Sequence, residues 1–96
     1  MTGLDLISVY GETSGALSIS KLENNPGSIV QTGSFKGRVA LISITPDDQN
    51  PLEVKVPSEK SYDNHEKDLS ERWTGFLPVD IGGKIVPGLV EVVLYG

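Results

Sequence analysis

The sequence predicts a small, mainly β domain: an antiparallel β-sandwich or partly open barrel with one short helix. Three observations predict this class. Apolar and polar residues alternate with period two in several short runs, turns rich in Gly and Pro separate those runs, and helix spacing with caps occurs only at about residues 63–73. The 96 residues contain no Ser/Gly, Pro-rich or single-sign charged tract that would divide two cores, so residues 1–96 are read as a single compact domain.

The elements follow in chain order. Leu4–Tyr10 is rich in strand formers, Ala16–Leu22 alternates, and Gly11–Gly15 between them is turn-forming, which predicts an opening hairpin. Asn24-Asn25-Pro26-Gly27 combines a proline of preset φ with a glycine, the pattern of a type II turn. A short strand is expected around Ser28–Thr32. A longer one is expected over Phe35–Thr45, with Gly37 as a bulge and the second half apolar on both faces.

Pro46–Pro51 is a polar loop, after which Leu52, Val54 and Val56 alternate with Glu53 and Lys55 as one half-buried strand. The helix is expected to start at Asp63, with Glu66 completing a capping box and Leu69 and Trp73 on one face. Asp63–Lys67 and Asp68–Arg72 are spaced i,i+4, and Gly75 is the stop. Phe76–Ile81, Gly82-Gly83 and Lys84–Val86 predict a second hairpin, in which Pro78 pushes its strand to an edge. Leu89–Tyr95, apolar on both faces except at Glu91, reads as a central strand.

Composition narrows the chemistry. Cysteine is absent, which excludes disulfides, thiol nucleophiles and Cys-based zinc sites. Eight Lys/Arg against thirteen Asp/Glu give a formal charge of −5, which disfavours nucleic acid and anionic membrane surfaces as partners. Neither a basic leader followed by an apolar stretch nor an apolar run of membrane-spanning length is present, so a soluble chain without signal peptide or transmembrane segment is expected; the compartment is left open.

No complete catalytic or metal motif is present. His65-Glu66 opens like the zinc-protease helix motif, but the second histidine it requires is Leu69. Asp48, Asn50 and Glu59 match positions of a calcium loop whose essential glycine is Glu53 here. The serines near Gly11–Gly15 and Gly33–Gly37 lack nucleophile-elbow spacing, and Phe35, Lys36 and Arg38 read as a solvated basic edge. No cofactor is expected.

Amphipathic aromatics and loop acceptors remain as candidate binding groups: Tyr62 and Trp73, with Asp47, Asp48 and Asn50 in the polar loop. The leading expectation is a noncatalytic protein-interaction or assembly module, a subunit of a larger virion-like or secretion-like particle that binds a protein partner or itself. The alternative is a small-ligand or carbohydrate-binding module using the loop and Trp73. A carboxylate-based enzyme ranks third.

Overall fold

In a computed structural model that describes residues 2–96, five strands form one curled sheet, a half-barrel, with short helices packed around it. Met1, part of the leader reading, lies outside the described residues. The strands are β1 (Leu17–Ser18), β2 (Val39–Pro46), β3 (Leu52–Val56), β4 (Leu69–Ile81) and β5 (Lys84–Tyr95), in spatial order β1-β4-β5-β2-β3. All neighbours are antiparallel except β1 and β4, which pair in parallel at Leu17–Val79 and Ser18–Asp80. No helix among the described residues is long and apolar enough to cross a membrane.

The centre of the sheet is β5, as its two-sided apolar character predicts. Val90, Val92 and Leu94 face inward beside Ile44, Ile42 and Ala40 of β2, and all six are fully buried. Gly82 and Gly83 close the β4–β5 hairpin with φ of 59° and 90°, the pair of positive values that a two-residue turn matched to strand twist demands. Pro78 lies where β4 has lost its outer neighbour: between Leu69 and Pro78 no strand pairs with its other side among the described residues.

The opening hairpin is not formed. Thr2–Tyr10 is a helix, α1, and Ala16–Leu22 contributes only the two residues of β1 before helix α2 (Ile19–Asn24) begins. Gly3, Leu6 and Tyr10 are buried at spacings of three and four, a helical stripe, and this packing outweighs the strand propensity of Leu-Ile-Ser-Val-Tyr. The Ser18 hydroxyl caps α2 by accepting from the Lys21 amide at 3.3 Å. The expected type II turn and the strand at Ser28–Thr32 are instead a 3-10 helix, Pro26–Gln31, whose first position holds the proline. A second 3-10 turn, Gly33–Phe35, delays the long strand until Val39, and Gly37 reverses the chain with φ 73°. The Ser34 amide donates to the Asp5 carboxylate at 3.1 Å, tying this turn to α1.

The expected helix at residues 63–73 is displaced. Helix α3 spans Glu59–Asn64, starts at Ser58, whose hydroxyl accepts from the Ser61 amide at 3.1 Å, and ends before His65. From Leu69 onward the chain is strand: Trp73, Gly75, Leu77 and Val79 face the core, while Arg72, Thr74, Phe76 and Pro78 face outward. The twelve residues of β5 supply a ladder that a short helix cannot match. Asp63 pairs with Lys55 at 2.9 Å rather than with Lys67, and Gly75 continues the strand.

Gly75 has a specific task there. A Cβ on it would lie 2.6 Å from the Trp73 ring, and a Cβ on Gly3 of α1 would lie 2.5 Å from the same ring edge. The indole is thus flanked by two glycines where α1 crosses the sheet. Gly3→Val is expected to displace it, costing about 1–3 kcal/mol. Urea unfolding reads the loss, and a red-shifted tryptophan emission reports the displaced ring.

Candidate interaction surface

The inner face of the sheet is closed by α1, α2 and the 3-10 turns around one core cluster. The outer face is covered at only one end. There α3 sits over β3, β2 and the end of β5, with the Tyr62 and Tyr95 rings edge to face at 5.9 Å. The Asp63 carboxylate, 2.9 Å from Lys55, holds that ammonium above its usual range, and nearby Glu59 adds to the effect. Burial and then hydrogen bonding with Tyr95 raise the Tyr62 phenol.

The other end is bare. The turn register pairs Phe76 with Leu89, Pro78 with Pro87 and Asp80 with Ile85, and Leu89 in turn pairs with Thr45. Directly paired residues share a face, so these side chains form one outward cluster. Phe76 is 79% exposed, Ile85 51% and Leu89 38%. Phe76 projects between two shallow grooves. One, about 580 Å³, is lined by the Pro46–Asn50 loop together with Phe76, Gly88 and Leu89; the other, about 380 Å³, by the paired prolines and Ile85. At the hairpin end, Glu12 is raised above the ordinary carboxyl range, first by hydrogen bonding with Asp80.

Asp47, Asp48 and Asn50 therefore do share a groove, and its aromatic wall is Phe76. Trp73 is on the inner face and packs against the core, so it does not join that loop. Tyr62 belongs to α3 itself and packs onto the outer face at the far end, against Tyr95. Among the described residues no three His, Cys, Asp or Glu side chains converge in a way that would hold a metal ion. Comparison with protein-family models, with curated proteins and with solved structures finds no match for this chain. The functional reading consequently rests on the surface itself.

Phe76 was legible through the turn. Gly82-Gly83 at a two-residue reversal sets Ile81 opposite Lys84, and Phe76, Pro78, Pro87 and Leu89, each an odd number of residues from that pair, share the other face.

Proposed function

We propose that this chain is a noncatalytic protein-interaction or assembly module that engages its partner through the outer face around Phe76. One observation carries the reading: a Phe stands 79% exposed at the middle of an apolar cluster on a rigid, paired hairpin. Scattered single apolar residues are ordinary on protein surfaces, whereas a contiguous group is a mark of contact surfaces. Burying a side chain of this size against a partner contributes about 1.5–3 kcal/mol, enough to make it an anchor. The free edge of β4 beside it offers backbone groups for strand addition.

Replacing Phe76 by the photoreactive p-benzoylphenylalanine tests the reading. Irradiation in the native extract and in the purified protein is expected to give a covalent protein adduct from position 76 and none from the same group at Ser20, exposed on α2. Irradiation that leaves position 76 without a protein adduct in both preparations would overturn it.

A carbohydrate-binding reading has one specific support, the placement of Asp47, Asp48 and Asn50 beside an aromatic ring in one groove. It predicts hits on a glycan array that disappear in Phe76→Ser.

A further inference from the structure

We infer that the partner of this surface is a second copy of the chain, bound head to tail; the inference rests on the interaction reading above. The two ends of β2 carry opposite charge. At its C-terminal end, Asp47 and Asp48 flank the protruding Phe76, and no cation lines that groove among the described residues. At its N-terminal end, Lys36, Arg38 and His65 line a groove of about 500 Å³, whose lining holds no carboxylate and includes Val30, Val39 and Pro57.

In a chain of formal charge −5, a groove whose charged lining residues are the cations Lys36 and Arg38, with no carboxylate, is a local reversal of the overall balance. The guanidinium of Arg38 is steadied by donating to the Ser34 carbonyl at 3.2 Å. The shapes also match in kind: an exposed ring flanked by carboxylates on one end, a hollow with apolar walls flanked by cations on the other. Separation along the strand, about 25 Å for eight residues, prevents the knob from filling the hollow of its own molecule.

Two copies thus fit by placing Phe76 of one in the hollow of the next, with Asp47 and Asp48 meeting Lys36 and Arg38. The interface is heterologous, so each copy retains one free knob or hollow and growth continues into a ring or filament. Net repulsion between acidic copies acts at long range and is screened beyond about 8 Å at physiological ionic strength, leaving the contact charges to decide.

Light scattering after size exclusion, from micromolar to millimolar protein, provides the test. The wild-type chain is expected to rise to at least about twice the monomer mass. Asp47→Lys/Asp48→Lys gives two basic ends and Lys36→Glu/Arg38→Glu two acidic ends, so each is expected to stay monomeric alone. An equimolar mixture of the two is expected to associate again, which a merely misfolded variant would not do. Phe76→Ser, at an exposed position, is expected to be folded and monomeric.

A wild-type chain that is monomeric throughout overturns the inference, as does association that survives both charge reversals. The benzoylphenylalanine adduct separates this failure from that of the interaction reading. Cross-linking from position 76 to Lys36–Val39 of another copy supports head-to-tail assembly. Cross-linking only to a different protein defeats it while leaving the interaction reading intact, and absence of any adduct defeats both.

Discussion

Phe35→Ala is expected to lower the unfolding free energy by about 3–5 kcal/mol, the range for truncating a fully buried aromatic. Phe35 is completely inaccessible and is, with Tyr10, among the largest fully buried side chains of the protein. Its backbone belongs to a three-residue 3-10 turn, anchored by the Phe35 amide to the Thr32 carbonyl at 3.0 Å and by the Ser34 amide to Asp5. No sheet ladder holds this segment, so its side chain is what fastens the turn to the core. A domain of this size has roughly 5–15 kcal/mol in total, so the loss removes about a fifth or more of it. At about 4–8 °C per kcal/mol the midpoint falls by at least about 12 °C, read by thermal and urea melts followed by circular dichroism. A loss below about 1 kcal/mol would contradict the packing of this ring.

Phe35 also shows where local sequence reading failed. Phe35-Lys-Gly-Arg-Val alternates as a strand would, yet the alternation up to Arg38 belongs to a turn whose Phe is buried by α1 and the neighbouring 3-10 helix. The same failure occurs at Leu4–Tyr10, where strand propensity and the helical stripe of Gly3, Leu6 and Tyr10 coexist and only the presence of a sheet to pack on decides between them. Around Tyr62–Trp73 the error runs the other way. Charge pairs at i,i+4 suggested helix, but such pairs are worth a few tenths of a kcal/mol each and lose to a twelve-residue strand partner. Where turn chemistry and alternation agree, as at Gly82-Gly83 and Leu52–Val56, the strands lie where the pattern puts them, and Leu89–Tyr95, apolar on both faces, is part of the central strand as expected.

The site divides in the same manner. The polar loop Pro46–Pro51 is a local feature and its acceptors share a groove as expected of neighbours. The choice of aromatic was a long-range question. Trp73 and Phe76 differ by an odd number of residues on one strand, so they occupy opposite faces, and only the register with β5 tells which faces outward. The basic hollow was less legible still, because Lys36 and Arg38 meet His65 through a reversal at Gly37, where the pattern predicts a bulge within a strand, and through the end of α3, a helix the spacing predicts at residues 63–73.

Tyr10→Phe is expected to cost about 1–3 kcal/mol at neutral pH, although it removes a single oxygen. Tyr10 is 1% exposed, and its hydroxyl donates to the Asn25 carbonyl at 2.6 Å while accepting from the Ile29 amide at 3.2 Å. Asn25 is exposed and its carbonyl can turn to water, whereas Ile29 is fully buried, so the lost acceptor strands an amide. Burial raises the phenol above its ordinary value of 10.0, against a smaller lowering by the Ile29 amide. The folded protein therefore holds this proton more tightly than the unfolded chain does. The associated stability is fully present below pH 10 and is lost as pH climbs through the folded value. The phenylalanine variant has no such proton, so its deficit against wild type is expected to be constant from pH 7 to near 10 and to narrow above it. Urea unfolding across that range reads the difference, in which the alkaline contributions of Lys55 and Tyr62, common to both proteins, cancel. A deficit that stays flat or widens above pH 10 would mean that the Tyr10 hydroxyl reaches water in the folded state.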